Sequence, residues 1–396
     1  MTYEPEKMKK IPFTGIRRVL ERANQLAGEG RKIVHFEIGQ PDFDTPANIK
    51  EAAKKALDDR LTSYSSNFGI PQLRKAIAAK LSRQNDLTVN ADTDIMVTVG
   101  GEEAVAASVF ALLDADDEVL IAQPCYFPYV SLVRLACAKP VMVPLVEEDG
   151  YNYDFDALEK AVTSKTRMLI LNSPGNPTGS LMDREHLTTL AAFCEKHDLL
   201  VVADEAYEQV LYDGNRHITF ASLPGMWERT VTVQSFSKAY SMCGWRIGYI
   251  AATRELLRVI VRAHMNIVMS ANTFSQYGAL EALTGPQDSL RAMLAQFNKR
   301  RIALYDALTG IGIPCSKPQA AFYLFPNISQ FGMDSFAFAE HLLEHYGVAT
   351  VPGVEFGQLG EGHIRISYAT SFEDCMAGAD AIRRMAEALR ASNRLS

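Results

Sequence analysis

Between residues 95 and 252 the chain repeats one pattern. A short apolar run is followed by a loop, and the loop by residues at helical spacing. The runs are IMVTV (95–99), EVLIA (118–122), PVMVP (140–144), RMLILN (167–172), LLVVAD (199–204), TVTVQS (230–235) and IGYIAA (247–252). Continuous runs of this length predict strands buried on both faces. Their alternation with helices predicts an α/β fold, a mostly parallel sheet sandwiched by helices.

The flanking segments read differently. Residues 14–28 predict a helix, with Thr14 as N-cap and Ile16, Val19, Leu20 and Ala23 at helical spacing. A short apolar run, IVHFEIG, follows and is broken by Gly39 and Pro41. Pro71 sits where the first turn of a helix tolerates proline, ahead of Leu73, Ile77 and Leu81 on one face. From about residue 286 come a long helical pattern (Asp288–Leu308), short strands in AAFYLFP and HIRISYA, and a last helix. That is the pattern of a smaller α+β lobe. The expected division is a large domain over 46–285 and a small one built from 1–45 plus 286–396.

Composition closes off other classes. The chain carries 40 Lys+Arg against 47 Asp+Glu, a net charge of −7, which disfavours nucleic acid as a partner. No run of about 18 apolar residues predicts a membrane span. The first residues show no apolar stretch behind their basic ones, so no secretory signal is expected. Six scattered cysteines without a C-x-x-C pair, and histidines without metal spacing, suit free thiols in the cytoplasm and no metal site.

In open α/β sheets ligands collect at the carboxyl ends of strands, so the residues after each run matter most. Gly100, Gly101 and Glu102 open a helix and free backbone N–H groups for an anion, although such a turn is often only a turn. Asn176 lies in Ser-Pro-Gly-Asn-Pro-Thr-Gly (173–179), a loop stiffened by two prolines. Asp204 ends a buried run, where an acid needs a cation or a donor, or else caps a helix. Lys238 follows another buried run, and a desolvated lysine is a nucleophile toward aldehydes. Ser235, Ser237 and Arg246 offer hydroxyls and a guanidinium to a phosphate. A cofactor with an aldehyde, a basic ring nitrogen and a phosphate uses this set, and pyridoxal phosphate is such a cofactor.

The segments GQPDFDTP, TSYSSNFGIPQLRKAIA, VTVGGEEA, NSPGNPTG, DEAYE, SFSKAYSMCGWRIGY and RISYA run in order from about residue 37 to 369. With them the chain resembles the fold-type-I pyridoxal-phosphate enzymes of the class I/II aminotransferase family, on the side of the aspartate and aromatic aminotransferases. The resemblance implies an aminotransferase that moves an amino group from an L-amino acid to a 2-oxo acid, 2-oxoglutarate being the usual acceptor, by a ping-pong mechanism. It implies Lys238 as Schiff-base lysine and proton carrier, and Asp204 opposite the ring nitrogen. Tyr207 and Asn176 are implied at the ring hydroxyl, and Tyr126 stacked on the ring. The phosphate falls to Gly100, Gly101, Glu102, Ser235, Ser237 and Arg246. Arg365, Asn176 and Gly39 are implied for the substrate carboxylate. Tyr64 is implied to reach the other subunit's cofactor, which requires a homodimer.

One position departs from the pattern. In the aspartate-specific branch the residue after the two glycines is often Lys; here it is Glu102. A carboxylate there disfavours an acidic side chain if it faces the pocket, and merely suits the start of a helix if it does not. Phe13, Ile16 and Phe127 are candidates for an apolar wall. A β-lyase or an aminocyclopropane-carboxylate-type synthase shares the same cofactor residues and stays open as an alternative. A sensor domain of a transcription regulator needs a preceding helix-turn-helix module, and only about 35 residues precede the first matching motif.

Overall fold

The computed structural model describes residues 3–11 and 15–393. Its centre is an eight-stranded sheet. From one edge the strands are Ile95–Thr98, Gly248–Ala251, Thr230–Ser235, Leu200–Asp204, Thr166–Asn172, Glu118–Gln123, Lys139–Val146 and Asn152–Tyr153. Each of the seven apolar runs overlaps one of them.

Alternate residues of each strand bury into opposite layers, as the pleat requires. Val119, Ile121, Met168, Ile170, Val202, Val231 and Val233 face the helices Gly100–Leu112, Pro128–Leu135 and Arg254–Ile267. On the other face, Leu120, Leu169, Leu171, Val201 and Ala203 meet the helix Arg184–Lys196. There too Ile95, Val97, Tyr249 and Ala251 meet Pro71–Gln84 and Thr273–Thr284.

Two strands depart from the sequence expectation. Gly248–Ala251 is antiparallel to both neighbours; an apolar run predicts burial and carries no sign of direction. Lys139–Val146 is only half-buried along most of its length, because one of its neighbours is the two-residue edge strand Asn152–Tyr153. The other long strands run one way, so Thr98, Gln123, Asn172, Asp204 and Ser235 reach the same edge.

The predicted helix at 14–28 is observed as Gly15–Gly28; Thr14 lies outside the described residues, as does Phe13. Val19, Ala23 and Leu26 of this helix pack on Leu343 and Ala349. The run that follows contributes Val34–His35, paired in parallel with Val348–Ala349. Pro71 is at the first turn of its helix, as expected. Beyond residue 286, helices Asp288–Gly310, Ser335–Tyr346 and Phe372–Asn393 enclose a three-stranded antiparallel sheet of Tyr323–Leu324, Ile364–Ser367 and Val351–Pro352. Both ends of the chain therefore meet beside the large sheet. All six cysteines are free, and among the described residues no helix is long and apolar enough to cross a membrane.

Candidate active site

A cleft of about 330 Å³ opens at the edge where the strand ends gather. Gly101, Glu102, Tyr126, Asn176, Asp204, Tyr207, Ser235, Ser237, Lys238 and Arg246 line it from the sheet side. Gly39 and Arg365 line it from the side formed by the two chain ends. Of the predicted site residues, Gly100 and Tyr64 are not in the lining; Tyr64 is 87% exposed.

Asp204 ends its strand with its side chain buried. Tyr129 donates its hydroxyl to Oδ2 at 2.7 Å, and the backbone N–H of Ala206 donates to Oδ1 at 3.1 Å. Burial raises the carboxyl above its ordinary value, and these donors offset only part of that. The side chain is placed to receive a cationic partner from the cleft.

Ser235 caps the short helix Phe236–Ala239, its hydroxyl accepting from the N–H of Ser237 at 3.2 Å. Lys238 therefore projects from one turn held against the strand end. Its Nζ donates to the carbonyl of Gly39 at 2.7 Å and lies 5.7 Å from the ring centroid of Tyr207.

The anion cradle forms where Gly100 and Arg246 meet. Gly100 has φ 81°, and a Cβ there would come 2.8 Å from Nη2 of Arg246. Only glycine allows that conformation and that approach. Behind it, the helix Gly100–Leu112 presents its N-terminus.

On the opposite wall, Arg365 is 3% exposed. Its Nη1 donates to Oδ1 of Asn176 at 3.2 Å and its Nη2 to the carbonyl of Glu37 at 2.7 Å. The guanidinium sits 4.6 Å from the ring of Tyr323 and 5.1 Å from that of Phe356. Its buried Nε has no partner. Asn176 is fixed by its N–H donating to Oδ1 of Asn172 at 3.0 Å, and Nδ2 of Asn172 reaches the carbonyl of Asp204 at 3.1 Å.

Several lining residues escaped the sequence reading, among them Tyr129, Asn172, Tyr323, Glu37 and Ala206. Tyr323 exchanges a 2.7 Å hydrogen bond with Tyr207, and burial pushes the Tyr207 hydroxyl well above its ordinary value. Asn172 was within reach of sequence reasoning, since it is the last residue of a strand. Tyr129 and Tyr323 sit among apolar neighbours and carry no such mark. Ile16 lines the cleft as expected, whereas Phe127 does not; Val105, Pro128 and Leu132 supply the rest of its apolar surface.

The donor set fits pyridoxal phosphate. An amine, a buried acid short of a cation and an anion cradle stand around one cleft. A guanidinium with an orphaned Nε faces them from the other lobe.

The family model for aminotransferases of class I and II matches residues 31–382. An aspartate aminotransferase of Pyrococcus abyssi is 43% identical over 92% of this chain and 94% of its own length. An aromatic-amino-acid aminotransferase of Thermococcus litoralis is 40% identical over 96% of this chain and 97% of its own. The crystal structure of an aromatic aminotransferase from Pyrococcus horikoshii superposes with a TM-score of 0.88 at 42% identity, covering 92% of this chain and 98% of that one.

Proposed function

Because the chain belongs to the class I and II aminotransferase family, we propose how its own residues divide the work of that family's reaction. It is a pyridoxal-phosphate-dependent aminotransferase, and it moves an amino group from an amino acid to a 2-oxo acid. The cofactor, when bound, supplies an aldehyde for the amine and a ring that accepts electron density from the substrate.

Lys238 would hold the cofactor through Nζ, and the same amine, when free, would carry the proton removed from the substrate Cα. Asp204, held by Tyr129, keeps the ring nitrogen protonated, each charge favouring the other. Asn176 and Tyr207 hydrogen-bond the ring hydroxyl, and Tyr126 covers the ring face. Gly100, Gly101 and the backbone of Glu102 bind the phosphate together with Ser235, Ser237 and Arg246. Arg365 grips the substrate α-carboxylate, aided by Asn176 and Gly39, because a planar carboxylate matches a fork of donors. The observation that carries this reading is the convergence of Lys238, Asp204 and Arg365 on one cleft.

2-Oxoglutarate is the acceptor. The large domain spans 46–285, and the small one combines 1–45 with 286–396. Tyr64, 87% exposed, reaches the cofactor phosphate of a second copy in a homodimer. The protein is cytoplasmic, in keeping with its free thiols.

The test is to reduce the cofactor-loaded enzyme with borohydride and map the modified peptide. The expected result is a single adduct on Lys238. An adduct on another lysine overturns the assignment.

A further inference from the structure

A polar network lies behind the cleft, on the face of the sheet turned away from it. Side chains alternate along the strands, so the residues next to the cleft residues point the other way. Asp204 and Ser235 line the cleft; Glu205 and Gln234, their neighbours in sequence, are 2% and 1% exposed on the far side. Nε2 of Gln234 donates to Oε2 of Glu205 at 3.0 Å. Oε1 of Gln234 accepts from Lys80 Nζ at 2.6 Å and from the hydroxyl of Tyr249. Lys80, 2% exposed, also donates to Glu208. Glu205 accepts further from Thr219 Oγ1 and the N–H of Phe220, both at 3.0 Å. His217 Nε2 stands 3.0 Å from Glu205 Oε2 without hydrogen-bond alignment.

The position of the Gln234–Glu205 bond is what gives it meaning. Backbone pairing between strands Leu200–Asp204 and Thr230–Ser235 ends at Asp204 opposite Val233. One last backbone bond follows, from Glu205 N to Val233 O at 2.9 Å. Beyond it the side chains of Glu205 and Gln234 join the two strand ends directly. Those ends carry Asp204 on one strand and Ser235, Ser237 and Lys238 on the other. The acid and the amine must meet opposite ends of one rigid ring, so their spacing cannot drift. A misplacement of about 1 Å can cost on the order of 100-fold in rate.

We propose that the Gln234–Glu205 pair, anchored from behind by Lys80, is a positioning element that sets the distance between Asp204 and Lys238. The proposal rests on the cofactor roles assigned to those two residues. Gln234, Glu205, Lys80, Tyr249 and Thr219 are all buried and hydrogen-bonded, so this part of the network is stiff and costly to deform.

The experiment compares cofactor-loaded wild-type enzyme with Gln234→Leu, which removes the link and leaves Lys80 paired with Glu208. A second variant, Tyr249→Phe, removes one hydroxyl at the network's rim. The readouts are kcat and KM for an amino donor, and the pH midpoint of the lysine–cofactor absorbance. Gln234→Leu is expected to lower kcat roughly ten-fold, with donor KM changed less than about two-fold. It is also expected to raise the midpoint by about half a pH unit, because a ring nitrogen less firmly protonated withdraws less from the lysine linkage. Tyr249→Phe is expected to move both in the same direction by less.

Wild-type kcat and midpoint in Gln234→Leu overturn the proposal, as does a rate loss without a midpoint shift. If Gln234→Leu does not fold, an unchanged midpoint and rate in Tyr249→Phe overturn it. A wild-type enzyme with no such absorbance at all would instead defeat the assignment of Lys238.

Discussion

The two walls of the cleft are built by different means. The sheet-side wall takes its groups from strand ends that backbone hydrogen bonds already hold in register, so Asn172 sits opposite Asp204 before any side chain acts. The opposite wall takes Gly39 and Arg365 from segments more than 300 residues apart in sequence. Arg365 is fixed there by side chains and carbonyls: Asn176, Glu37, and the rings of Tyr323 and Phe356. The first wall is the rigid one and suits a cofactor that stays. The second suits a substrate that enters and leaves twice per cycle.

On that division, damage to the second wall leaves the first intact. Arg365→Lys is the strongest probe. A lysine keeps the charge and loses the fork of donors, so it cannot hold Asn176, the Glu37 carbonyl and a carboxylate together. Apparent affinities for amino and 2-oxo acids are expected to fall by roughly 10- to 100-fold. The absorbance of the bound cofactor should not change. Steady-state kinetics beside a cofactor titration checks both, and a weakened cofactor would show the walls to be one unit.

The same difference explains what could be read from the sequence. Asp204 and Ser235 end apolar runs, Lys238 and Asn176 come within four residues of one, and a strand end in an α/β sheet is a marked place. The large sheet was legible because burial on two faces writes continuous apolar runs. The reversed strand Gly248–Ala251 was not, because burial is indifferent to direction. Tyr129 was missed because a tyrosine near the start of a helix looks like core until Asp204 is seen beneath its hydroxyl. Glu37 acts here through a backbone carbonyl, which leaves no trace in residue type. Arg365 became legible only through a resemblance; its own strand, Ile364–Ser367, is four residues long.

A smaller effect separates the walls by charge. Burial raises the Asp204 carboxyl in the folded apoprotein, so the folded state keeps a proton that the unfolded chain releases near its ordinary value. The stability this contributes is fully present below that ordinary value, about pH 4, and is lost as pH rises through the folded value. Asp204→Asn removes the dependence. Urea unfolding of both apoproteins should show the variant gaining on wild type as pH rises, and added cofactor should restore wild type by supplying the opposite charge. Parallel curves for the two apoproteins would mean that Asp204 is already compensated without the cofactor.

Glu102 tests where the boundary between the walls falls. It belongs to the sheet side by position, as the third residue of the helix Gly100–Leu112, yet it is exposed at the cleft and close enough to disfavour ionisation of the half-buried Tyr126 hydroxyl. A charge so placed has two readings. It complements the N-terminus of its helix, or it repels a donor whose side chain ends in a carboxylate. Solvent screens it, so the effect is expected to be the smallest of the three. With Glu102→Lys, kcat/KM for aspartate relative to alanine should rise roughly 3- to 10-fold, and the gain should shrink as salt is added. Alanine serves as the reference because it shares the α-carboxylate and amine and lacks the distal charge, so changes in cofactor binding cancel in the ratio. An unchanged ratio assigns Glu102 to its helix alone and leaves donor choice to the apolar surface of Ile16, Val105, Pro128 and Leu132.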